Sequence, residues 1–484
     1  MIEYISTKGG ISPARFDEAV LQGFASDGGL FVPQTIPRIP DRTLSAMSQM
    51  SYTGIVYEIL SLFIDKAVIP ETDLKQLIDT GFSLFDHPDL LPVVPMDTDK
   101  NLYCMELFHG PTLSFKDIAM GFLIHTMDYL LHKRDRHLSL ILATTGDTGP
   151  AAAFAAAGKK TIDCWPLYPL GMISKEQERQ MTTLAADNIH PVSVSGCQRG
   201  GDDIDVIVAA LFSQPELKKR LNLSSVNSIN WCRVMVQAAH YAYGYFKICS
   251  RVGEPVDVCV PSGAFGNLFA GFLARKMGIP IRNFICANNK NHTLHTVFST
   301  GVFKKEDLRP SLSSAIDIVV PYNFWRFLYF SCNRDPEKMN QWMDMFERTG
   351  EIRLDKKTLA NIQKGFKSVS ISDEQTLTTI QEIWKKKKYL LDPHSAVSVC
   401  AATILGAQVK NRVKTICLAT AHPAKFPDVI QQALGPGTPL PEQAFHPSIE
   451  SAKNSDETFE SCDLDCLETF LIHRISRTGK TRSN

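Results

Sequence analysis

The chain has 484 residues, of which 44% are hydrophobic and 21% are charged, and its 51 basic residues balance its 51 acidic ones. A chain of this length is expected to form more than one domain, and its composition is that of an ordinary globular protein. The balanced charge argues against nucleic acid or an acidic membrane surface as a partner, and no apolar stretch approaches the length of a transmembrane helix.

The first part of the chain is expected to be mainly helical. The motif Asp27-Gly-Gly-Leu-Phe-Val-Pro33 is typical of a turn that leads into an extended segment, and helix-like patterning continues to about residue 85. We therefore predict an N-terminal domain at residues 1–90.

Residues 106–117 place a lysine, Lys116, between a loop and an apolar helix. A glycine, a proline, small hydroxyls and aromatic residues precede it, which suits a loop that folds over a ligand. The run 118–131 has helical spacing, with Asp117 near its start as a cap. A partly desolvated lysine at a helix N-terminus loses its proton easily, and Schiff-base formation with an aldehyde cofactor needs a neutral amine. The alternative is a surface lysine whose stem packs on apolar neighbours.

Three buried strands are each predicted to be followed by a loop of small residues. The strand and loop pairs are 137–143 with 144–149, 256–260 with 261–267, and 415–420 with 421–426. Helices follow the first two loops, with Pro150 in the first turn of one of them. Repeated strand, loop and helix units predict a parallel α/β sheet that is covered on both faces, and ligands in such sheets bind beyond the carboxyl ends of the strands.

Two of these loops are candidate anion sites. Ser262-Gly-Ala-Phe-Gly-Asn267 has the composition of a phosphate cradle, although it is neither a Walker loop nor a dinucleotide-binding fingerprint. Thr144-Thr-Gly-Asp-Thr-Gly149 offers hydroxyls and N–H groups to a carboxylate or a phosphate. The alternatives are a tight strand-to-helix turn for the first loop and a turn capped by Asp147 or Thr148 for the second.

The segment Asn227-Ser-Ile-Asn-Trp-Cys-Arg233 is a third candidate. Its two amides, its hydroxyl and Arg233 suit an oxyanion site, because the guanidinium can hold a phosphate through two hydrogen bonds. The alternative is a helix start that is capped by Ser228 or Asn230, with Arg233 on a solvated face.

The last predicted strand ends at Thr420, whose hydroxyl is placed to hydrogen-bond the nitrogen of a bound ring. His422, two residues later, and His394 of Asp392-Pro-His394 are interpreted as structural groups rather than catalytic ones. The tail from about residue 435 is rich in Pro, Ser, Glu and Asp, and we expect a peripheral extension that is partly disordered.

The twelve cysteines are scattered singly through apolar segments, without a Cys-x-x-Cys pair. Cys462 and Cys466 have no histidine cluster nearby, so no metal site is predicted. Buried free thiols in a reducing compartment are the economical interpretation. Together with a start that lacks a signal-peptide core, they predict a cytoplasmic location, with an organelle matrix as the alternative.

Six of these motifs together closely resemble the threonine synthase family, in its longer subgroup, which includes the threonine synthase-like proteins of animals. They are Phe-His-Gly-Pro-Thr-x-x-Phe-Lys-Asp, Thr-Gly-Asp-Thr-Gly, Asn-Ser-Ile-Asn-Trp, Pro-Ser-Gly-x-Phe-Gly-Asn, Asp-Pro-His-x-Ala-Val and Ala-Thr-Ala-His-Pro-Ala-Lys-Phe. The match spans roughly residues 4–426, in the order and spacing of the family. The resemblance implies the α/β fold of the tryptophan synthase β family (fold type II), with pyridoxal 5′-phosphate (PLP) as cofactor.

This fold places parallel sheets in a large and a small domain beside the N-terminal helical region. On that basis we expect a large cofactor-binding domain at residues 91–132 and 220–430, and a small α/β domain at 133–219. The C-terminal extension is expected at 431–484.

The resemblance also assigns roles to individual residues. Lys116 is expected to be the catalytic lysine, which forms the Schiff base with the cofactor and moves protons among Cα, Cβ and Cγ of the substrate. The cofactor phosphate is assigned to Gly263, Ala264, Phe265, Gly266 and Asn267, and the ring nitrogen to Thr420. The substrate α-carboxylate is assigned to Thr145, Gly146, Asp147 and Thr148, and the substrate phosphate to Ser228, Asn230 and Arg233.

The activity that the resemblance implies is conversion of O-phospho-L-homoserine to L-threonine and phosphate. An alternative is a phospholyase that releases 2-oxobutyrate, ammonia and phosphate from O-phosphohomoserine or O-phosphothreonine. A third possibility is a protein that binds PLP without catalysis. For the two enzymes the partner is a small phosphorylated amino acid, and we expect a monomer or a homodimer.

Four positions depart from the usual residues of the family. Ala264 stands where asparagine is usual, Leu170 and Met172 stand where lysine and arginine are common, and Lys8 replaces a common arginine. A cradle that works through its backbone still binds the cofactor, with one side-chain contact fewer. The loss of two cations near the entrance is expected to weaken the binding of a phosphorylated substrate or to change specificity.

Overall fold

The computed structural model describes residues 2–408 and 413–481. As predicted, the N-terminal part is mainly helical. Strands β1 (Tyr4–Ser6) and β2 (Phe31–Pro33) pair antiparallel. The helices are α1 (Phe16–Gln22), α2 (Asp41–Met47), α3 (Tyr52–Leu60) and α4 (Glu71–Phe82).

The large sheet has six strands in the described residues. They are β3 (Val93–Asp97), β4 (Leu102–Glu106), β9 (Val256–Pro261), β10 (Ile281–Asn288), β13 (Phe366–Ser370) and β14 (Thr415–Ala419). Their spatial order is β13-β10-β9-β14-β4-β3, and all neighbours run parallel except β3, which is antiparallel to β4. Strand β9 is buried along its whole length, which is expected for a parallel sheet that is covered on both faces.

The small sheet has five parallel strands in the described residues. They are β5 (Leu138–Ala143), β6 (Ile162–Pro169), β7 (Val192–Ser195), β8 (Leu223–Ser224) and β15 (Glu460–Asp463), in the order β15-β7-β6-β5-β8. The predicted range 133–219 for the small domain leaves out the last two of these strands. A separate antiparallel pair is formed by β11 (Val302–Lys304) and β12 (Glu351–Arg353).

Sixteen further α-helices are present in the described residues. They are α5 (Lys116–His132), α6 (Thr148–Ala156), α7 (Lys175–Thr182), α8 (Gly201–Phe212), α9 (Pro215–Arg220), α10 (Trp231–Ile248), α11 (Gly266–Met277), α12 (Thr293–Thr300), α13 (Tyr322–Ser331), α14 (Pro336–Thr349), α15 (Lys356–Gln363), α16 (Asp373–Lys387), α17 (Pro393–Ala407), α18 (Pro427–Leu434), α19 (Pro447–Lys453) and α20 (Leu467–Thr481). Helix α3 packs on α10 and α4 packs on α5, which joins the N-terminal region to the rest of the chain. None of the described helices is both long and apolar enough to cross a membrane.

The C-terminal extension contains ordered elements, although its composition suggested a peripheral and partly disordered tail. Strand β15 joins the small sheet beside β7, and α20 packs on α8. Leu467, Leu471 and Ile475 of α20 recur at helical spacing and are buried in the core of the small sheet, which is the physical reason for this order. Residues 482–484, at the basic end of the tail, lie outside the described residues.

Candidate active site

A cavity lies where the loops after β5, β9 and β14 meet the start of α5, as the sheet topology predicts. Twelve of the fourteen predicted site residues line it. They are Lys116, Thr145, Asp147, Thr148, Ser228, Arg233, Gly263, Ala264, Phe265, Gly266, Asn267 and Thr420. The other two, Gly146 and Asn230, are not among the lining residues.

Lys116 is the first residue of α5, and its ammonium lies 4.2 Å from the centroid of the Phe115 ring. Burial lowers the pKa of this ammonium to about 7, because a charged amine is poorly solvated in the cavity. Asp147 opposes the shift, while the positive charges of Arg233 and Lys425 add to it. A substantial fraction of the amine is therefore neutral near pH 7.

Asp117 does not cap α5, contrary to the prediction from its position. Its carboxylate turns back over the preceding loop and accepts hydrogen bonds from the Thr112 backbone N–H at 2.9 Å and from the Thr112 hydroxyl at 2.6 Å. Burial raises the pKa of Asp117 to about 6, although the Thr112 hydrogen bonds oppose the shift. The residue therefore shapes the loop before Lys116, and the first amides of α5 have no side-chain cap.

The loop 144–149 is a tight strand-to-helix turn that presents its middle to the cavity. The Thr144 hydroxyl accepts hydrogen bonds from the N–H groups of Gly146 at 3.1 Å and Gly149 at 2.9 Å. Gly146 has a φ of +115°, and a Cβ at this position would lie 2.2 Å from the Gln177 side chain. Glycine is therefore required here for the turn, and α6 begins two residues later with its positive end toward the cavity.

Asp147 forms a buried ion pair with Lys425, which the sequence did not single out as a site residue. The Lys425 ammonium donates to the Asp147 carboxylate at 2.8 Å, and Gln177 donates to the same oxygen at 2.9 Å. Lys425 is 0% exposed and Asp147 is 3% exposed. The sequence indicates a buried position for Lys425 only through its apolar neighbours, Ala424 and Phe426. Such neighbours are also common around a partly buried surface lysine.

The loop 261–267, to which the cofactor phosphate is assigned, lines the cavity between β9 and α11. A Cβ on Gly263 would lie 2.9 Å from the Ile316 Cα, and a Cβ on Gly266 would lie 3.0 Å from the Ser228 Cβ. Phe265 has a φ of +65°, which is unusual for a phenylalanine, and its buried ring packs between Phe324 and Phe327. Because α11 begins at Gly266, the loop brings the N-terminus of a helix to the cavity wall.

Among the described residues, the Asn267 side chain is hydrogen-bonded through its oxygen but not through its nitrogen. His240 and the Tyr241 hydroxyl both donate to its side-chain oxygen at 2.9 Å, whereas its buried Nδ2 has no hydrogen-bond partner among the described residues. Buried polar atoms are almost always hydrogen-bonded, so an atom of this kind at a cavity indicates a ligand group.

In the segment 227–233, Asn230 has a structural role, whereas Arg233 lies at the cavity. Asn230 caps α10 by accepting from the Cys232 N–H at 3.1 Å, and its amide donates to the Val20 carbonyl at 2.9 Å. It is therefore a structural residue, as the alternative interpretation had it. Arg233 does not lie on a solvated face but is 2% exposed at the cavity, where it donates to the Val226 carbonyl at 3.1 Å and leaves its Nε without a partner among the described residues.

The residues after β14 and His394 form hydrogen bonds with backbone groups. Thr420 is buried at the cavity wall, and its carbonyl accepts from the Phe115 N–H at 2.9 Å. His422 accepts from the Ala424 N–H at 3.1 Å, and burial lowers its pKa to about 3, which keeps it neutral. His394 accepts from the Ala315 N–H through Nε2 at 3.0 Å and donates to Asp392 through Nδ1 at 2.8 Å, so both ring nitrogens are used structurally.

Two carboxyl groups that line the cavity were not predicted from the sequence. Asp202 and Asp205 lie in the first two turns of α8, and burial raises the pKa of Asp202 to about 6 and that of Asp205 well above its usual value. The sequence Gly-Gly-Asp-Asp-Ile-Asp has the composition of a solvated helix start, so it gave no signal of a buried position. A raised pKa favours the neutral carboxylic acid, which can donate a hydrogen bond into the cavity.

Leu170 and Met172 lie in the segment that follows β6. Leu170 is 58% exposed. Met172 lines an outer cleft next to the cavity, together with Leu308 and Pro310. The charged residues of this cleft are Lys175, Glu176, Asp317 and Asp428, so the cleft has no excess of positive charge.

The residues of the cavity fit PLP. The glycine cradle and the free Asn267 Nδ2 and Arg233 Nε suit phosphate groups, and the Thr420 hydroxyl suits a ring nitrogen. The partly neutral Lys116 amine suits an aldehyde. Among the described residues, no group of three or more His, Cys, Asp or Glu side chains is arranged to hold a metal ion.

Similarity to known proteins extends over most of the chain. The family model described as threonine synthase N terminus matches residues 3–82, that of pyridoxal-phosphate dependent enzymes matches residues 90–420, and that of the threonine synthase C-terminal region matches residues 395–468. Threonine synthase of Schizosaccharomyces pombe is 36% identical over 465 residues, which are 90% of this chain and 89% of that protein.

Threonine synthase-like 2 of Homo sapiens is 37% identical over 442 residues, 90% of each protein. The crystal structure of PLP-bound threonine synthase from Brucella melitensis superposes with a TM-score of 0.88 at 34% sequence identity, and the match covers 99% of this chain and 100% of that one. The chain therefore belongs to the threonine synthase family of pyridoxal-phosphate dependent enzymes, with the fold type II architecture that its motifs implied.

Proposed function

We propose that the protein is a PLP-dependent lyase that converts O-phospho-L-homoserine to L-threonine and phosphate. The observation that carries this proposal is that one cavity joins the partly neutral Lys116 to a glycine cradle and to the buried Arg233. A phosphorylated aldehyde cofactor needs the first two, and a phosphorylated substrate needs a further cation. Relatives named threonine synthase are 36% and 38% identical.

The cofactor is assigned to the wall formed by the cradle and β14. Backbone N–H groups of residues 263–267 hold its phosphate, and the Thr420 hydroxyl faces its ring nitrogen. Bound PLP supplies an electron sink for the negative charge that develops on the substrate carbons. A neutral hydroxyl opposite the ring nitrogen moderates that sink, which favours loss of a leaving group from the substrate.

The substrate is assigned to the opposite wall. Residues 145–148 receive its α-carboxylate, because the N-terminus of α6 favours negative charge at this loop. Ser228 and Arg233 receive its phosphate, and the guanidinium stabilises the departing anion. Lys116 Nζ moves protons among Cα, Cβ and Cγ, and water added at Cβ completes threonine.

A phospholyase that releases 2-oxobutyrate is the second candidate. It is favoured by the segment after β6, where Leu170 and Met172 provide no cation for a phosphate. Relatives named threonine synthase-like 2 are as similar to this chain as those named threonine synthase. Every residue assigned above serves both outcomes, so the two functions differ in whether water reaches Cβ before the product leaves.

Purified protein with PLP and O-phosphohomoserine is expected to release phosphate and threonine in equal amounts. The measurement follows phosphate, threonine and 2-oxobutyrate in the same reaction, with O-phosphothreonine as a second substrate. Phosphate with 2-oxobutyrate and ammonia selects the phospholyase instead. No phosphate from either compound, with PLP bound, contradicts both enzymes and leaves the non-catalytic PLP-binding protein.

The reaction of the apoprotein with pyridoxal is expected to accelerate through a midpoint near pH 7 and to level off above about pH 8. Burial and nearby cations lower the pKa of Lys116 to about 7, and only the neutral amine attacks an aldehyde. Stopped-flow absorbance at a series of pH values measures this rate, and pyridoxal has no phosphate whose ionisation interferes. Lys116→Ala is the control without the phase, and a rate that still rises at pH 10 contradicts the lowered pKa.

The location and the assembly of the protein remain proposals. We propose the cytoplasm, or an organelle matrix, because the twelve cysteines are free thiols in the described residues and seven of them are buried. The proposed partner is a small phosphorylated amino acid, and a monomer or homodimer stays a prediction.

A further inference from the structure

Lys425 is a fully buried cation that the reaction above does not use. It ends the short helix Pro423–Lys425 after β14 and is 0% exposed. Its ammonium donates to the Asp147 carboxylate at 2.8 Å and to the Thr112 carbonyl at 3.0 Å. Asp147 lies in the loop after β5 of the small sheet, and Thr112 lies in the loop that leads to Lys116. One side chain therefore ties together three segments of the cavity wall.

Helix α7 completes this arrangement from the small-sheet side. Gln177 donates to the Asp147 carboxylate at 2.9 Å, and Gln180 donates to the Thr112 carbonyl at 3.0 Å. Both acceptors that Lys425 contacts are thus shared with a neutral donor. Because both charges lose their solvation by water on burial, a buried pair is a weak way to stabilise a fold. A role in the site accounts for its presence better than stability does.

The charge of Asp147 sets a problem for the cavity. Burial acts to raise the pKa of Asp147, but Lys425, Lys116 and His394 outweigh it and bring the pKa to about 2. The carboxylate is therefore charged at neutral pH, in the loop to which the substrate α-carboxylate is assigned. Without another cation it repels that carboxylate, and it also favours the protonated form of Lys116.

We propose that Lys425 is a positioning residue: it neutralises Asp147, fixes the loop 144–149 for the substrate α-carboxylate, and keeps Lys116 from becoming the counter-ion of Asp147. The first part rests on the proposed function, whereas the effect on Lys116 does not. The charged groups that act on Lys116 are Asp147, Arg233 and Lys425, so removing Lys425 withdraws one cation and also exposes Lys116 to the full charge of Asp147.

The test compares the wild type with Lys425→Met, Asp147→Asn and the double variant, using the pyridoxal reaction of each apoprotein between pH 5.5 and 10. We expect Lys425→Met to move the midpoint upward by about one pH unit, the lower end of the range for a nearby opposite charge, so that the rate at pH 7 falls about fivefold. The double variant is expected to return the midpoint toward that of the wild type. An unchanged midpoint in Lys425→Met, or a double variant as displaced as the single one, overturns the proposal.

Lys425→Arg is the matched control, because it keeps the charge and is expected to keep the midpoint. Should Lys425→Met fail to fold, Lys425→Gln, which keeps a hydrogen-bond donor without the charge, takes its place with the same expected displacement. If Lys425 had only a structural role, Lys425→Arg and Lys425→Gln would slow the pyridoxal reaction equally. Adding Asp147→Asn would then not restore the midpoint.

Steady-state kinetics separate this proposal from the proposed function. With O-phosphohomoserine, Lys425→Met is expected to raise KM about tenfold or more, because the loop for the α-carboxylate then carries an uncompensated negative charge. If the wild type releases no phosphate from any phosphoamino acid, the proposed function fails, while the pyridoxal midpoints still decide the effect of Lys425 on Lys116.

Discussion

Replacing Lys116 by alanine is expected to remove the visible absorbance of bound PLP and to lower phosphate release by at least about 10²–10⁴-fold, the range for loss of a general acid or base. No other described lysine is placed to substitute for it, because Lys425, the second lysine close to Asp147, is committed to that carboxylate and to the Thr112 carbonyl. The measurements are an absorbance spectrum of the protein with PLP and the rate of phosphate release from O-phosphohomoserine.

The control is Lys133→Ala, at the other end of the same helix. The Lys133 side chain is 51% exposed, so its loss is expected to leave the spectrum unchanged and to change stability by no more than about 0.5 kcal/mol. A variant at Lys116 that keeps the PLP absorbance contradicts the assignment of this residue.

The stability of the apoprotein supplies a second check. The pKa of Lys116 falls from 10.5 to about 7 on folding, so the native chain binds fewer protons than the unfolded chain between these pH values. The free energy of unfolding of the wild type therefore gains from Lys116 as the pH rises from 7 to 10.5. In Lys116→Ala this contribution is absent, so the free energy of unfolding of the wild type is expected to rise relative to that of the variant over the same window.

The parts of the site that sequence predicts are those set by local chemistry. Small residues after a buried strand specify the cradle at 263–267, and the lysine at the start of an apolar helix specifies Lys116, because both depend on neighbours along the chain. The three predicted strand and loop units meet at one cavity because β9 and β14 of the large sheet and β5 of the small sheet all bring their carboxyl ends to it.

The parts that sequence misses are set by contacts between distant segments. Asn230 and Arg233 belong to one motif, yet Asn230 caps α10 by accepting from the Cys232 N–H, whereas Arg233 lines the cavity. Asp117 has the position of a cap, but the Thr112 hydroxyl and N–H compete for its carboxylate. Lys425 reads as an ordinary lysine until the fold brings Asp147 to it, 278 residues away in the chain.

The substitution Gly263→Ala is expected to weaken PLP binding by about 10–100-fold without unfolding the protein. An added Cβ would lie 2.9 Å from the Cα and 3.0 Å from the carbonyl oxygen of Ile316, so backbone has to move rather than a flexible side chain. Overpacking of this kind costs about 1–3 kcal/mol, which corresponds to roughly that loss of affinity. Titration of the apoprotein with PLP, followed by absorbance, measures the Kd.

The backbone that Gly263→Ala displaces is also in contact with the loop assigned to the substrate α-carboxylate. The substitution is therefore expected to affect substrate binding as well as PLP binding. Ala315 is next to Ile316; its carbonyl accepts from the Thr145 hydroxyl at 3.3 Å, and its N–H donates to His394 Nε2 at 3.0 Å. A shift of this segment therefore displaces Thr145, which is assigned to the substrate α-carboxylate. We therefore expect KM for O-phosphohomoserine to rise together with the Kd for PLP.

Gly54→Ala in α3 is the matched control, because the nearest atoms to its added Cβ lie at 3.4 Å, an ordinary contact, and neither constant should change. A Gly263→Ala protein that binds PLP as tightly as the wild type contradicts the cradle as the site of the cofactor phosphate.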